Sequence, residues 1–305
     1  REMDYSLFSD DGFTIWQWIS CHSSTTMSKV LAYPHLPWAW HSVSQHVNIT
    51  MEDILQHPEI PWNWNAGVCY NPYLTINVIV RHPDKNWGDW VYISRHPNIS
   101  LDDIIQHPEL PWNWKDGVSS HPHLTIAVVL LFPVQQWNWC RISKHPNITM
   151  QDILQYAGLP WHWKHGVSLN PNLTIEMVLK LPPQRWSWNS ISKHPNLTMS
   201  NILQYPNLPW DWKGGVSAHP KLIFDIVLQH PDKSWDWYYI SQNPTITMDN
   251  VRQHPQLPWH WNLISKHPNI TIGDIIQNPN LPWNWRTGVS CNPNITIAAI
   301  NQYPD

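Results

Sequence analysis

Apolar and polar positions recur along this chain with a period of 24 or 25 residues. One threonine column marks the period best, and its members are Thr26, Thr50, Thr75, Ser100, Thr125, Thr149, Thr174, Thr198, Ile223, Thr247, Thr271 and Thr296. Four residues after each member stands an isoleucine or a valine, from Val30 to Ile300. Repeats of this length are typical of solenoids, in which a single repeat cannot bury its apolar face and stacks against its neighbours.

The threonine column predicts the start of a short helix in each repeat. If Thr50 is the N-cap, Asp53 is the third helical residue and the two form a capping box. Ile49 and Ile54 then flank the helix start as a hydrophobic staple. The helix is short, because the next x-P pair drives the residue before proline out of the α conformation.

A pair of tryptophans in the pattern W-x-W predicts a second short helix. The pairs run from Trp16/Trp18 to Trp283/Trp285, with Trp87/Trp90 one residue farther apart. The proline just before each pair suits the first position of a helix. On one helix, two residues two apart point about 200° away from each other, so one ring would face its own repeat and the other the neighbour.

We expect these tryptophans to form the core. An extended W-x-W stretch would instead put both rings on one face, where bases or sugars could stack. Their regular place beside a proline and before an isoleucine or valine favours the core. The predicted core residues are Trp62, Trp64, Trp112, Trp114, Trp161, Trp163, Trp210 and Trp212.

Two kinds of repeat alternate and give a super-period of 49 residues. In one kind W-x-W is followed by G-V-S, and in the other by I-S. The predicted fold is an all-α solenoid of about twelve repeats of 24–25 residues, each with two short helices. Residues 1–12 are expected to be a flank or cap and residues 13–305 the array. The array starts and stops within a repeat, so either its ends are capped atypically or the chain is a piece of a longer array.

Composition and charge exclude several classes of protein. The chain has 24 Trp, 29 Pro and 19 His against 10 Gly and 4 Phe, a skew that copying of a short unit explains. Its net charge of −4 provides no overall basic field for nucleic acid or an anionic membrane. The four cysteines are far apart and form no CxxC pair, which favours a reducing, intracellular setting. No apolar run predicts a membrane span or a secretory signal peptide.

A histidine column before proline raises the question of metal binding or pH sensing. Histidine and asparagine exchange there, in the order His22, His46, Asn71, His96, His121, His145, Asn170, His194, His219, Asn243, His267 and Asn292. Zinc tolerates asparagine poorly, so we predict a hydrogen-bonding role and no metal site. Sensitivity to acid remains open, since many histidines could become charged near about pH 6.

Seven N-x-S/T sequons also coincide with the repeat. They begin at Asn48, Asn98, Asn147, Asn172, Asn196, Asn269 and Asn294. Because the threonine or serine is already explained as an N-cap, a structural role is expected rather than glycosylation.

Basic residues recur at the super-period and form the candidate interaction stripe. Three precede His-Pro and three follow W-x-W: Arg95, Lys144 and Lys193, then Lys115, Lys164 and Lys213. A phosphate backbone could follow such lines. Acidic residues recur as well, at Asp53, Asp103 and Asp152, so we expect a solvated face of mixed charge.

A base-reading array would need a variable polar column on an exposed face. The residue between the two tryptophans varies in this way, through Ala39, Asn63, Asn113, Asn138, His162, Ser187, Asp211, Asp236, His260 and Asn284. Its two aspartates suit a neighbouring phosphate poorly.

No enzyme motif is present. The sequence has no G-x-G-x-x-G, P-loop, H-E-x-x-H or G-x-S-x-G. We therefore predict a protein that is not an enzyme, with no catalytic residue, cofactor or metal.

The segment "NPNLTIEMVLKLPPQRWSWNSISKHPNLT" (170–198) resembles the tryptophan-rich tandem repeats of giant DNA viruses. Matching stretches occur at 71–100 and 229–247, the latter reading "QHPDKSWDWYYISQNPTIT". The resemblance covers nearly the whole chain and implies a viral origin and a helical scaffold, with no catalytic residues to transfer. The chain departs from the pattern at Ser100, Ile223, Ala157-Gly158 and Trp87–Trp90.

The expected function is a non-enzymatic repeat scaffold with protein partners or copies of itself, assembled end to end or laterally. The resemblance favours a viral structural or virion-associated protein, located in the infected-cell cytoplasm or the virion, with no membrane insertion. The alternative is a helical repeat array that binds nucleic acid.

Overall fold

The computed structural model describes residues 15–181 and 183–296, without the side chain of Gln184. Within these residues it has eighteen α-helices of four to seven residues and no strand. The chain divides into two compact units, Arg1–Asp152 and Ile153–Asp305. The fold is an all-α repeat solenoid, as predicted. The expected flank 1–12 and the repeat that follows Thr296 lie outside the described residues.

One set of helices, called the A helices here, begins directly after the threonine column. Their bounds are Met27–Ala32, Met51–Gln56, Ile76–Arg81, Leu101–Gln106, Ile126–Leu131, Met150–Gln155, Ile175–Lys180, Met199–Gln204, Phe224–Gln229, Met248–Gln253 and Ile272–Gln277. The fourth residue of each, the isoleucine or valine column, is buried. The predicted helix starts are confirmed.

The predicted capping box holds the start of the helix Met51–Gln56. Thr50 Oγ1 accepts a hydrogen bond from the Asp53 N–H at 3.1 Å, and Asp53 Oδ2 accepts one from the Thr50 N–H at 2.8 Å. Ser100, Thr198, Thr247 and Thr271 form the same box. His57, before Pro58, leaves the helical conformation with φ −120° and ψ 63°, as expected for a residue before proline.

The prediction of a second helix that carries both tryptophans is wrong for every described pair except Trp16/Trp18, which lies in the helix Ile15–Cys21. In I-S repeats, and in the related first segment, the B helices begin at or beside the second tryptophan column: Ile15–Cys21, Trp40–Ser44, Trp90–Ile93, Trp139–Ser143, Trp188–Ser192, Trp237–Ile240 and Trp261–Ser265. The residue between the tryptophans is the N-cap, as where Asn138 Oδ1 accepts from the Arg141 N–H at 3.2 Å. The helix therefore cannot start at the preceding proline.

The G-V-S repeats replace the B helix by a turn and a short 3-10 helix. These 3-10 helices are Val68–Tyr70, Val118–Ser120, Val167–Leu169, Val216–Ala218 and Val289–Cys291, and a further one, Pro183–Arg185, lies elsewhere in the repeat. A Cβ on Gly117 would lie 2.5 Å from Ser94 Cβ and 2.6 Å from the Asn113 carbonyl oxygen. This column is glycine because the preceding repeat approaches the backbone closely.

The tryptophans form a ladder between repeats in each unit. The first of a pair is buried, as at Trp112, whose Nε1–H donates to the His107 carbonyl oxygen at 2.7 Å; among the described pairs from Trp38/Trp40 onward Trp235 alone is half-buried. The second is half-buried, except for the exposed Trp285, and meets the first tryptophan of the next repeat edge to face, as where Trp90 and Trp112 have centroids 5.3 Å apart. Of the predicted core, Trp62, Trp112, Trp161 and Trp210 are thus buried, and Trp64, Trp114, Trp163 and Trp212 half-buried.

The ladder also corrects the register of the first pair. Trp16 packs edge to face on Trp38 at 6.0 Å, just as Trp40 packs on Trp62. Trp16 therefore occupies the second tryptophan column, and Trp18 is an additional, exposed residue that contacts the His22 ring.

Buried serines provide a second repeated link. The serine of I-S or G-V-S accepts a hydrogen bond from the backbone N–H of the residue between the next two tryptophans, nineteen residues on, as where Ser94 Oγ accepts from the Asn113 N–H at 2.9 Å. The same bond recurs at Ser20, Ser44, Ser119, Ser168, Ser192, Ser217, Ser241 and Ser265. These serines tie their repeats to the next ones through a backbone donor that would otherwise be buried without a partner, whereas Cys69 takes the place of serine in one repeat.

Candidate interaction surface

The candidate interaction stripe lies on the side of the repeats that carries the B helices, called the B side here. Lys144 and Lys193 are the C-caps of B helices, and Arg95 follows the C-cap Ser94. The lysines Lys115, Lys164 and Lys213 lie in the turns after the second tryptophan of G-V-S repeats. All six are exposed except Lys193, which is half-buried.

Several cations on this side are already engaged with protein groups. The Arg95 guanidinium lies 5.8 Å from the centroid of the Tyr92 ring. Burial opposes ionisation of Asp211, but hydrogen bonds from Asn189 and the Gly214 N–H, together with the charge of Lys193, outweigh it and lower its pKa. The stripe therefore lies among acidic as well as basic side chains, whereas the acidic residues Asp53, Asp103 and Asp152 lie on the A helices.

The variable column between the tryptophans has a structural explanation. Asn63, Asn113 and Asp211 each accept a hydrogen bond from the backbone N–H three residues on, at 2.7–2.8 Å. Asn, Asp and Ser are the preferred N-cap residues, so their exchange needs no reading code, although Ala39 and His260 of the same column make no side-chain cap. The variable column between the tryptophans therefore gives no support to a nucleic-acid-binding array.

The histidine column forms hydrogen bonds between repeats. His96 Nε2 lies 3.1 Å from the Asn71 carbonyl oxygen of the preceding repeat, and its Nδ1 accepts from the Asn98 N–H at 3.2 Å. With an N–H facing Nδ1 and a carbonyl facing Nε2, the ring must be neutral with its proton on Nε2. The predicted hydrogen-bonding role is confirmed for this column.

Asparagine at the same column also bonds to the preceding repeat, but to a different carbonyl oxygen from the one that faces His96. Asn71 Nδ2–H donates to the Ile49 carbonyl oxygen, and Asn71 Oδ1 accepts from the Tyr73 N–H, each at 2.9 Å. His121 donates in the same way to the Ile99 carbonyl oxygen at 2.7 Å. The exchange of histidine for asparagine thus keeps the link between repeats. Among the described residues, no group of three His, Cys, Asp or Glu side chains could hold a metal ion.

Burial acts on the charge of these histidines. It is the largest cause that lowers the pKa of each of the six, against the opposing effect of the carbonyl acceptor. The six are His96, His121, His145, His194, His219 and His267. Protonation of these rings at acid pH therefore weakens their hydrogen bonds between repeats.

The sequon asparagines are also links. Asn48 Nδ2–H donates to the Ser23 and Thr25 carbonyl oxygens at 2.7 and 2.9 Å, and Asn196 Nδ2–H donates to the Pro171 carbonyl oxygen at 2.5 Å. A glycan would have to attach to the same nitrogen. The contacts agree with the structural role expected of this column.

A row of aliphatic side chains on the A helices was not predicted from the sequence. The fifth residue of the A helix, directly after the buried column, is large and aliphatic in ten of the eleven described A helices. Seven of these side chains are 36–43 % exposed, namely Leu31, Leu55, Val80, Leu130, Leu179, Leu228 and Ile276. Ile105, Leu154 and Leu203 are half-buried, and Arg252 interrupts the row. We call these residues the aliphatic row.

The sequence does contain a signal for the row. Two neighbouring residues of a helix point about 100° apart, so a helix of six residues cannot bury both the fourth and the fifth on one face. A second aliphatic column beside the buried one is therefore an outward-facing column.

Clefts open beside the row at equivalent places in each unit. In the first unit a cleft of about 430 Å³ is lined by Val80, Pro83, Trp87, Glu109 and Leu110, among others. In the second unit a cleft of about 360 Å³ is lined by the equivalent Leu228, Pro231, Trp235 and Leu257. Each is large enough to accept an apolar side chain.

The remaining observations concern cysteines and membranes. All four cysteines are free thiols, and Cys69 is buried with its pKa raised to about 11, chiefly by desolvation. None of the helices in the described part of the chain has the length and hydropathy to cross a bilayer.

No protein-family model, curated protein or solved structure matches this chain. The resemblance to tryptophan-rich viral repeats therefore stays a prediction from the quoted motifs. The fold defines the class, an all-α repeat solenoid.

Proposed function

We propose that this chain is a non-enzymatic repeat scaffold that binds proteins through the aliphatic row. The observation that carries the proposal is the row itself, which presents a large apolar side chain at the same place in repeat after repeat. Contiguous exposed apolar surface on a folded protein marks an interaction site. The polar columns, in contrast, are used for links within and between repeats.

The resemblance to viral repeats favours a structural or virion-associated setting for such a scaffold. In that setting the chain would act in the infected-cell cytoplasm or in the virion. Assembly with further copies, laterally or end to end, belongs to the same class of function.

A nucleic-acid-binding array is the second candidate. It is favoured by two clefts on the B side, of about 290 and 500 Å³, where Lys115 lies beside Trp114 and Lys164 beside Trp163. These rings, however, already contact protein groups, since Trp114 meets Phe132 at 4.9 Å. The Arg185 guanidinium lies 4.8 Å from the centroid of Trp163.

Capture from a native lysate separates the two candidates. Three tagged proteins are compared, each with and without nuclease. They are the unaltered chain, the row variant Leu55→Gln/Ile105→Gln and the matched cation variant Lys115→Gln/Lys164→Gln. We expect the row variant to capture at least about tenfold less protein than the unaltered chain. Each large aliphatic side chain buried in a complex changes the affinity by roughly tenfold or more. We expect nuclease and the cation variant to leave the captured set unchanged.

The opposite pattern would reject the scaffold in favour of the second candidate. In that case nuclease would release the partners, and the cation variant would fail to retain them while the row variant retained them fully.

A further inference from the structure

One cleft of the second unit differs in charge from its equivalents elsewhere in the chain. It lies on the B side beside the pair Trp161/Trp163 and has a volume of about 500 Å³. Besides the two rings it is lined by four exposed side chains, which are His162, Lys164, His165 and Arg185. Two of the four are cations, and no carboxylate lines the cleft. We call these four residues the basic cleft.

The same four columns carry no net charge in the three other G-V-S repeats that a further tryptophan pair follows. Those repeats have Asn63, Asn65, Ala66 and Asn86; Asn113, Lys115, Asp116 and Gln136; and Asp211, Lys213, Gly214 and Ser234. The first set has no charged residue, and in each of the other two an aspartate balances the lysine. The contrast therefore lies in the residues of the cleft itself and does not depend on the charge of a whole unit.

The cation over a tryptophan ring is paired in the next G-V-S repeat and unpaired in the basic cleft. Lys233 lies 5.3 Å from the centroid of a second-column tryptophan and pairs with Asp232 at 2.8 Å. Arg185 lies in a similar way over Trp163, at 4.8 Å from the ring centroid. Within the described residues, however, neither Arg185 nor Lys164 forms an ion pair.

The three acidic residues closest along the chain are each engaged by another side chain. They are Asp152 with Thr149, Glu176 with Thr174, and Asp211 with Asn189. The contact with Thr174 is the largest cause that lowers the pKa of Glu176. Glu176 is also the one acidic residue between positions 153 and 210, a stretch that has four Lys and Arg residues. Nearby carboxylates therefore do not neutralise the basic cleft.

The side chains of the basic cleft are rich in hydrogen-bond donors. Lysine has three N–H donors and arginine five, and neither side chain has an acceptor. A guanidinium that stacks on an aromatic face keeps its planar fork of donors for an anion. His162 Nδ1 accepts from the His165 N–H at 3.3 Å, so the proton of this ring lies on Nε2. A ligand of the cleft must therefore supply acceptors and negative charge.

A phosphate monoester fits these donors better than a nucleic-acid backbone does. The monoester carries about −1.5 to −2 charges at pH 7 and three acceptor oxygens, and a guanidinium can bind it with two parallel hydrogen bonds. A nucleic acid carries one charge per phosphate and needs cations that recur along the array. The equivalent columns of the other repeats are neutral, so the basic cleft is an isolated site.

The open position of the cleft indicates how the phosphate is carried. Its four polar side chains are exposed, whereas small-molecule sites bury most of the ligand surface. A phosphorylated side chain can enter such a cleft while the rest of its segment lies outside. Arg185 covers Trp163, and Trp186 meets the same ring edge to face at 5.5 Å, which leaves no stacking place for a base or for the ring of phosphotyrosine.

We infer that the basic cleft binds a phosphorylated serine or threonine side chain of a partner protein. Arg185 and Lys164 neutralise the phosphate, and the imidazoles of His162 and His165 border it. Recognition of phosphorylated side chains by clustered basic residues is a general mode of binding. The inference goes beyond the proposed function, because this second site does not depend on the aliphatic row.

The test uses the full chain and labelled pools of peptides with randomised flanks around a central phosphoserine, serine or glutamate. Binding is measured by fluorescence polarisation at about 0.15 M salt, where charges farther apart than roughly 8 Å are screened. The phosphoserine pool is expected to bind at least about tenfold more tightly than the serine pool. It should also bind more tightly than the glutamate pool, because a glutamate carries one charge.

Two matched variants separate the site from the general charge of the unit. Lys164→Gln/Arg185→Gln should weaken the phosphoserine pool about tenfold or more, because charge-assisted hydrogen bonds are lost. Lys213→Gln/Lys233→Gln removes the same charge from the next G-V-S repeat of the same unit and should leave the affinity unchanged.

His165→Asp tests the absence of a carboxylate. Asp116 occupies this column in the first unit, so we expect the variant to fold like the unaltered chain, which circular dichroism checks. Its carboxylate would face the phosphate, and like charges brought together are costly. The affinity for the phosphoserine pool should fall at least about tenfold.

The inference is overturned if the phosphoserine pool binds no better than the serine pool, or if the control variant weakens it as much as Lys164→Gln/Arg185→Gln does. It is also overturned if a single-stranded oligonucleotide binds more tightly than the pool and depends on Lys164 and Arg185, because the cleft then belongs to the nucleic-acid candidate.

The outcome for the basic cleft is distinguishable from the outcome for the scaffold. The row variant Leu55→Gln/Ile105→Gln should leave the affinity for the phosphoserine pool unchanged, so failure of the cleft leaves the scaffold proposal standing. Treatment of the lysate with phosphatase before capture removes partners of the cleft. The captured set then tests the row and the nucleic-acid candidate alone.

Discussion

Replacing Trp112 with alanine is expected to lower the free energy of unfolding by about 3–5 kcal/mol. Trp112 is buried, receives the edge-to-face contact of Trp90, and donates to the His107 carbonyl oxygen. Its loss would leave a cavity between two repeats and an unpaired carbonyl. Chemical denaturation of the full chain, followed by circular dichroism, measures the change.

Trp285→Ala is the matched control. Trp285 belongs to the second tryptophan column but is 61 % exposed, so its removal should change the free energy of unfolding by only about 0.5 kcal/mol. Equal losses in the two variants would show that the edge-to-face contacts between repeats do not hold the array together.

Stability is expected to fall as the pH drops below 6.5, and replacing six histidines with asparagine should abolish that fall. The histidines are His96, His121, His145, His194, His219 and His267, and in each the folded state lowers the pKa from the ordinary value of 6.5, chiefly by burial. The unfolded chain therefore binds more protons than the folded chain below that pH. The contribution of these histidines to the free energy of unfolding is fully present above pH 6.5. It is lost as the pH falls through 6.5 toward their lowered pKa values in the folded state.

Geometry gives the same direction as the pKa. A charged ring would bring an N–H at Nδ1 against a backbone N–H, as at Asn98, and break the local turn. Electrostatic repulsion acts in the same direction, since His123 and His145 further lower the pKa of His121. Lys221 does so for His219.

Thermal unfolding at neutral pH and at about pH 5 measures the effect. The asparagine variant should match the chain at neutral pH, because asparagine at this column bonds to either carbonyl: Asn71 donates to the Ile49 oxygen, 22 residues back, and Asn292 to the His267 oxygen, 25 residues back. A variant that kept the full acid sensitivity would place its origin outside the histidine column.

The A helices could be predicted from sequence because their signals are local. The capping box joins Thr50 to Asp53, and the proline that ends the helix lies within the same repeat. The B helices could not be placed correctly, because two signals in the sequence each predict a helix start. One is the proline before the first tryptophan, and the other is the N-cap residue between the two tryptophans. The cap at Asn138 determines the start.

The histidine links between repeats were beyond sequence reasoning for a different physical reason. Their acceptors are backbone carbonyl oxygens 22 to 25 residues away, as in the bonds of His121 to Ile99 and of His96 to Asn71. A carbonyl has no residue identity, so only the exchange of histidine for asparagine pointed to a hydrogen bond. The aliphatic row was hidden because its leucines read as core beside Ile54 and Ile104.

The central claim is that each side chain of the aliphatic row leaves part of its surface outside the packing that folds the repeats, where a partner can contact it. The most direct test is the free energy of unfolding of Leu55→Gln/Ile105→Gln, compared with that of Ile54→Gln in the buried column. The account predicts a loss of about 1 kcal/mol per site for the half-buried row residues and of about 2–5 kcal/mol for Ile54→Gln. A row variant that lost as much per site as Ile54→Gln would contradict the account, because the row would then belong to the core.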